Sequence, residues 1–408
     1  MSGPDGPSLA LLESNTTGSG REFCAVARAR GLRPVVLTVA PGRYRYLDED
    51  RVDRQVIDTG EIGAVLDACE RLAKGDGLAG VTSSSEYFAA SAAEAAARLG
   101  LPGPDPAALA RCREKDRQRG ALAAAGVPIP SYRAVGDDAE AVRAAGEIGY
   151  PVVVKPTTGS GSAGVRLCPN AATVAEHAAA LLGAAENERG LPVRRVLLVE
   201  QYVAGAEFSV ETFDQTVVGV VAKHLGPAPF FVEIGHDFPA PVQPELARVL
   251  GEVARAAVTA LGLGWGAAHT ELRLTADGPV VIEVNPRLAG GMIPSLVRLA
   301  GGVDLVDAVV ARASGHDPSP APRPRLHASI RFVVADGPGT VAAIGGLDRA
   351  RSAAGSVAAE ITVGVGDQVA ISHSFRDRVG YAIAVGEDAA SAAERAGRAA
   401  AHLRVVMG

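Results

Sequence analysis

Four residues in the second half of the chain have the types and spacing to hold a cation and an anion side by side. Glu271, Glu283, Asn285 and Arg287 fall within residues 267–287, AAHTELRLTADGPVVIEVNPR, where two runs of alternating polar and apolar residues flank an Ala-Asp-Gly-Pro turn. That pattern predicts a β-hairpin. Alternate side chains of a strand share a face, so Glu283, Asn285 and Arg287 are expected to point one way, with Glu271 facing them from the partner strand. Oxygen-only ligands suit Mg²⁺ or Mn²⁺, and a neighbouring guanidinium suits a phosphate. Either glutamate alone reads as a solvated strand face. The set reads as a metal site, because that much like charge on one surface needs a cation.

A second stretch, residues 150–165, reads YPVVVKPTTGSGSAGV. A buried strand ends in Lys155, a loop carrying Gly159, Ser160, Gly161, Ser162 and Gly164 follows, and a short strand at 165–168 closes the unit. Glycines let backbone N–H groups approach phosphate oxygens, serines add donors, and the lysine supplies a point charge. With no helix directly after the loop this is not a P-loop but a hairpin flap suited to closing over a nucleotide. Residues 157–163 hold no large apolar side chain, so the flap is expected to be mobile without nucleotide.

Other candidates are weaker alone. Lys115 opens a helix against the dipole preference and by itself reads as part of a solvated face. A strand at 195–200 runs into Glu200, Gln201, Tyr202, Val203 and Glu207, a connector whose backbone carries no side-chain signature. Residues 226–239 are rich in proline, glycine and aromatics and read as a loop. Within it, His236 is either a substrate-facing donor or a satisfied buried histidine. After Arg287, Gly290, Gly291 and Met292 allow close backbone approach before a helix start.

The flanking elements must position these groups. Strands at 8–12, 33–39 and 78–82 alternate with helices at 21–30, 61–73 and 86–99, the start of a doubly wound α/β domain. The loop Thr16-Thr17-Gly18-Ser19-Gly20 is either an anion cradle or a tight turn with an N-cap. Residues 101–106 form the first linker. Strands at 208–213 and 217–222 and an amphipathic helix at 243–261 lead into the hairpin. A proline-rich linker at 317–324 precedes short strands at 328–334, 357–362, 368–374 and 381–385 and a helix at 389–403, read as a small α+β domain. The expected domains are residues 1–105, 106–320 with a mobile lid at about 127–203, and 321–408.

Composition excludes several classes. The 408 residues are 48% hydrophobic, enough for an ample core, and a net charge of −6 gives no support for nucleic-acid binding. Four cysteines, Cys24, Cys69, Cys112 and Cys168, are too scattered for metal-ligand spacing and read as buried fillers in a reducing compartment. No apolar run reaches the ~20 residues that cross a bilayer. The first residues show neither a basic n-region nor a long h-region, so a cytoplasmic location is expected.

Lys155 with its flap, the segment from Glu200 to Glu207, and Glu271 followed by Glu283-Val-Asn285-Pro-Arg287 resemble, in order and spacing, the motifs of the ATP-grasp ligase superfamily. Within it, Phe231-Val-Glu233-Ile-Gly235-His236 and Arg287 followed by Gly290-Gly291 are similar to the L-amino-acid ligases. The resemblance implies an α/β front domain, a central nucleotide-binding pair of α+β subdomains and a small C-terminal α+β domain. It implies that Lys115, Lys155 and the Gly159–Gly164 flap hold ATP phosphates, with Lys223 as a further contact. Glu200 would belong to the cofactor site, the backbone around Gln201, Tyr202 and Val203 would meet adenine, and the Glu207 carboxylate would meet the ribose hydroxyls. Glu271, Glu283 and Asn285 would bind two Mg²⁺ or Mn²⁺ ions. Arg287 would steady the transferring phosphoryl group, making Arg287, Lys155 and His236 the expected catalytic set. Glu233, His236, Gly290 and Gly291 would line the amino-acid pocket with Arg287 beside them; Met292, next in sequence, is a further substrate candidate on which the resemblance is silent.

The implied reaction is activation of a carboxylate as an acyl phosphate, then attack by an amine to give an amide, ADP and phosphate. The partners are two small molecules, a carboxylate donor and an amine acceptor, with no nucleic acid and no membrane; a homodimer is compatible with this. Two alternatives are a carboxylate–thiol ligase loading a carrier protein and a non-catalytic nucleotide-binding regulator. The regulator should have lost metal or phosphate residues, and all of them are present.

Overall fold

The computed structural model describes residues 6–15, 19–186, 193–318 and 325–408. Residues Thr16, Thr17 and Gly18 of the first loop, and most of the 317–324 linker, lie outside them. The front unit is a parallel sheet of β1 (Ser8–Leu12), β2 (Arg33–Thr38), β3 (Asp53–Val56) and β4 (Leu78–Thr82), in the order β3-β2-β1-β4. Its apolar runs are explained by burial on both faces. Leu9, Leu11 and Val36 pack with Phe23 and Ala27 on one side, while Ala10, Leu12, Val35 and Leu37 pack with Val65 and Leu72 on the other.

The lid is an antiparallel sheet of β5 (Tyr132–Val135), β6 (Val152–Pro156), β7 (Arg166–Cys168) and β8 (Leu197–Gln201), in the order β5-β8-β6-β7. Helices Asp138–Ile148 and Ala171–Gly183 back it through Ala141, Ala145, Val174 and Ala178.

The remaining strands are β9 (Ala206–Phe213), β10 (Thr216–Leu225), β11 (Glu233–Phe238), β12 (Ala267–Thr275), β13 (Gly278–Asn285), β14 (His327–Val334), β15 (Gly339–Gly345), β16 (Ser356–Ile361), β17 (Gln368–Val369), β18 (Arg378–Gly386) and β19 (Arg404–Met407). Eight of them form one sheet, β13-β12-β9-β10-β11-β14-β18-β16. Helix Pro244–Ala260 covers one face with Leu250, Ala254, Ala257 and Val258. Helix Ile293–Gly301 covers the other, and helix Leu305–Ala313 also packs Val306 and Val310 beneath the front sheet.

Three expectations change here. The C-terminal strands β14, β18 and β16 continue the central sheet, and only β17-β15-β19 pair apart from it. The expected strand at 368–374 is confined to Gln368–Val369, because Asp377 draws the following residues into a turn through Ser372 N and Oγ at 2.8 and 2.7 Å. The stretch around His236 is a strand, since β11 is inserted between β10 and β14 and bonded to both.

The hairpin β12–β13 forms as expected, with one feature that alternation does not show. From the turn up to Leu272↔Val281 the pairing is regular, but the next pair is Glu271↔Glu283, leaving Ile282 as an extra residue. This β-bulge matters for the side chains: in regular register Glu271 would face Ile282, and Glu283 would point to the opposite side of the sheet. The bulge puts both carboxylates on one face.

Helix Lys115–Ala124 secures it, because β13 is the sheet edge and its outer backbone groups need partners. The Gln118 carboxamide accepts from Val284 N at 2.9 Å and donates to Val284 O at 2.8 Å. Arg119, 1% exposed, donates to the bulge carbonyl of Ile282 at 2.5 Å and to Glu200 on the lid at 2.8 Å. Glu200 also takes the Lys155 ammonium at 2.6 Å. Arg119→Ala would leave a buried carboxylate half-paired and the bulge carbonyl without its donor. It is expected to cost about 3–5 kcal/mol of stability by chemical denaturation; a loss below about 1 kcal/mol would show that Arg119 does not hold this junction.

Candidate active site

Glu271 and Glu283 begin a row of charged groups on the inner face of the sheet, each held by an ammonium. Lys115 Nζ lies 3.0 Å from Glu283 and 2.9 Å from the carbonyl of Gly159 on the flap. Lys115 is therefore buried at the heart of the site, not on a solvated helix face. Lys223 sits among three carboxylates, Glu233 at 2.7 Å and Glu207 and Glu271 at 2.9 Å. Burial pulls its pKa down, but the three carboxylates outweigh burial and hold the ammonium well above its ordinary value. Its charge is thus shared among three acids while it lines the cleft between lid and central sheet. His269 bridges Glu211 at 2.8 Å and Glu271 at 3.1 Å; the two acids overcome burial and raise its pKa to about 9.

A cleft of about 120 Å³ lies between lid and central sheet, lined by Lys115, Lys155, Gly159, Ser160, Gly161, Ser162, Glu200 to Val203, Glu207 and Lys223. Glu200 is committed to Arg119 and Lys155, and although burial pushes its pKa up, those two cations bring it down to about 2. It therefore positions Lys155 at the edge of the cleft. Burial lowers the Lys155 pKa against the pull of Glu200, so an added phosphate would restore what desolvation removes. Arg273 donates to Glu207 at 3.0 Å and to Val203 O at 2.9 Å, and lies 5.4 and 5.1 Å from the Tyr202 and Phe231 ring centres. The Val203 N–H has no hydrogen-bond partner among the described residues.

Arg287 departs from the expected alternation, since β13 ends at Asn285. Its guanidinium turns to Glu86 of the front unit, with Nε 2.8 Å from Oε2, and Nη1 donates to Leu288 O at 2.9 Å. Glu86 was not singled out in the sequence, where it reads only as the opening of an alanine-rich helix; that helix begins at Ala89. Burial raises the Glu86 pKa, but Arg287 and then Lys115 hold it below the ordinary range.

Around Arg287 opens a cavity of about 920 Å³, walled by the front unit, the central sheet and the C-terminal strands. Glu233, Gly290, Gly291 and Met292 line it. His236 does not: it is 0% exposed, both ring nitrogens lack hydrogen-bond partners, and burial drives its pKa down to about 3. It touches the cavity only through Gly291, where a Cβ would come within 2.5 Å of His236 Nε2. Ser160, Gly161, Glu233, Glu271 and Arg287 line both the cleft and the cavity, so the two meet there.

The donor set fits a hard divalent cation. Two facing carboxylates and the Asn285 carboxamide offer oxygen only, and both carboxylates already require cations. Among the described residues no group of three or more His, Cys, Asp or Glu side chains forms a cage.

The flap is pinned, although its own side chains are small. Ser162 Oγ donates to Phe231 O at 2.8 Å, and the Phe375 N–H donates to Gly161 O at 3.1 Å. Gly161 takes φ of 63°, and a Cβ there would lie 2.2 Å from the Phe375 ring. Nearby, the Phe230 and His373 rings stack with centroids 3.6 Å apart. The apolar anchor missing from residues 157–163 is supplied by the C-terminal segment.

Comparison with known proteins agrees with this geometry. Residues 148–295 match the ATP-grasp domain and residues 331–408 match L-amino acid ligase C-terminal domain 2. The chain is 40% identical over 384 residues to the uncharacterized protein y4rH of Sinorhizobium fredii, covering 94% of this chain and 80% of that one. It is 33% identical to carnosine synthase 1 of Gallus gallus over 62% of this chain, spanning 30% of that longer protein. The crystal structure of an L-amino acid ligase from Bacillus licheniformis superposes with a TM-score of 0.83 at 22% identity, covering 98% of this chain and 99% of that one.

If Phe375 holds the flap down, Phe375→Ala should speed amide exchange at residues 157–164 at least several-fold in the nucleotide-free protein, and adding ATP and Mg²⁺ should slow it again. Exchange unchanged by the substitution would mean that the flap is secured elsewhere.

Proposed function

This chain belongs to the ATP-grasp family and is an ATP-dependent carboxylate–amine ligase; we propose that it activates one amino acid as an acyl phosphate and joins it to the amine of a second. The observation that carries this reading is the junction of the two cavities on Glu271 and Arg287, the place where a γ-phosphoryl group and a carboxylate would have to meet.

In this reading ATP lies in the cleft, its adenine against the Val203 N–H and its ribose toward Glu207. Lys115 and Lys155 neutralise phosphate charge, and the flap backbone from Gly159 to Gly164 covers it. Glu271, Glu283 and Asn285 would hold Mg²⁺, with two ions as the proposed number, and the metal supplies further charge neutralisation on the phosphates. Arg287, oriented by Glu86, steadies the donor carboxylate and the phosphoryl oxygens. A donor oxygen forms a bond to the γ-phosphorus as the bond to the bridging oxygen breaks and ADP departs. The acceptor amine, having lost its extra proton, adds to the carbonyl carbon; the C–O bond to phosphate breaks and the amide nitrogen releases a proton. Closure of the flap keeps water from the acyl phosphate. His236 shapes the pocket floor beneath Gly290-Gly291 and acts through it.

Nothing in the site favours a carrier-protein thiol as acceptor, and a regulator would not need a second cavity joined to the nucleotide cleft. No helix among the described residues is long and apolar enough to cross a membrane. The four buried free cysteines suit a cytoplasmic location.

A screen of amino-acid pairs, scored by phosphate release and product mass, should yield dipeptides only with ATP and Mg²⁺. On a productive pair, Glu283→Gln should abolish turnover with the fold intact, and Arg287→Ala should lower kcat by a factor on the order of a hundred or more. His236→Ala should mainly raise KM for one amino acid. Near wild-type kcat for Glu283→Gln at saturating Mg²⁺ would refute the metal role of the hairpin.

A further inference from the structure

We propose that Arg378, at the start of β18, binds the carboxylate of the acceptor amino acid and so restricts the acceptor to amines that carry one. This rests on the ligase reading and assigns a residue outside the ATP-grasp core. Arg378 lines the large cavity together with Glu233, Arg287 and Gly290-Gly291. Its guanidinium is held on two sides: Nε donates to Glu233 O at 3.0 Å and Nη2 to Glu233 Oε2 at 2.6 Å. Its carbon lies 4.0 Å from the centre of the Phe332 ring. These contacts fix the plane of the group before any ligand arrives.

Nη1 is the remaining nitrogen. It makes no hydrogen bond among the described residues, and the side chain keeps 12% exposure in the cavity wall. Gly291 leaves the space in front of it clear: a Cβ there would lie 3.7 Å from Arg378 Nη1 and 2.5 Å from His236 Nε2. Arg287, turned toward Glu86 and Leu288 O, is already assigned to the donor carboxylate at the junction, which leaves Arg378 for a second one. The one acid on Arg378, Glu233, is shared with Lys223 at 2.7 Å. A cation with a half-claimed counter-ion and a free donor edge, in a largely desolvated wall, is suited to a second carboxylate. Arg43 and Arg45 line the same cavity from the front unit but are exposed, where water competes for any anion.

The assignment places the two substrates. The donor carboxylate lies by Arg287, where the cavities join, and the acceptor carboxylate lies by the C-terminal strand. The acceptor amine is then directed inward, toward the donor carbonyl. An amine without a carboxylate could enter but would not be oriented, and Nη1 would lose nothing it has in the free enzyme.

The test compares an acceptor amino acid from a productive pair with its carboxamide, a neutral analogue of nearly equal size. Wild-type enzyme should prefer the acid roughly 10- to 100-fold in kcat/KM, the scale of a hydrogen bond to a charged group. Arg378→Ala should collapse that preference to within about threefold while leaving the KM values for ATP and donor little changed. Arg378→Lys, which keeps the charge and guards against loss of folding, should retain part of the preference. A merely structural role would lower both acceptors equally and leave their ratio intact, which would overturn the assignment. Wild-type enzyme that makes dipeptides yet uses acid and amide alike would also overturn it, with the ligase reading unharmed. No amide product from any pair would remove the ligase reading and this assignment together.

Discussion

The extra residue at Ile282 is the constraint on which the site depends. Without it, Glu271 and Glu283 would lie on opposite faces of the hairpin, and no donor set of two carboxylates and Asn285 could form. A bulge on an edge strand leaves backbone groups without ladder partners, and the helix from Lys115 meets that need. Gln118 pairs with Val284 like a neighbouring strand, and Arg119 caps the bulge carbonyl while reaching Glu200 of the lid. The first residue of the same helix, Lys115, touches both Glu283 and the flap. One turn of helix therefore sets the position of β13, the lid and the glycine-rich flap relative to one another.

Charge organises the rest. Buried carboxylates are costly unless paired, and this site buries several. Lys223, His269 and Arg273 neutralise one group of them and Arg119 with Lys155 another, leaving the facing surfaces of Glu271 and Glu283 free to accept more positive charge. Each wall comes from a different part of the chain. Glu86 of the front unit orients Arg287, and Phe375 and Arg378 of the C-terminal segment meet the flap and Glu233. Such a site is completed only when all the units close together, which suits a reaction whose intermediate must be kept from water.

The sequence was legible where local pattern decides structure. The parallel front sheet followed from apolar runs bounded by helical periods, and the hairpin from alternation around Ala276-Asp277-Gly278. The place of Lys155 near the end of a buried strand was legible for the same reason. What stayed hidden depends on distant partners. The region of β11 reads as a loop because proline, glycine and aromatics crowd it, yet insertion between β10 and β14 makes it a strand and buries His236. A bulge has no composition signal when its extra residue is an isoleucine in an apolar run. Glu86 lies 201 residues from Arg287 and Arg378 lies 145 from Glu233, so no spacing could have joined them. Lys115 looked misplaced at a helix start because its true partners, Glu283 and the Gly159 carbonyl, are supplied by the fold.

If a donor carboxylate takes the γ-phosphoryl group beside Arg287, one of its own oxygens must leave as part of the phosphate when the amide forms. Carrying ¹⁸O in the donor carboxylate and measuring the mass of each product follows that oxygen directly. The predicted result is label in inorganic phosphate, one atom per amide formed, with none in the nucleotide. Label in a nucleoside monophosphate would mean that the carboxylate is adenylated instead, and would contradict the site geometry built on Glu271 and Arg287.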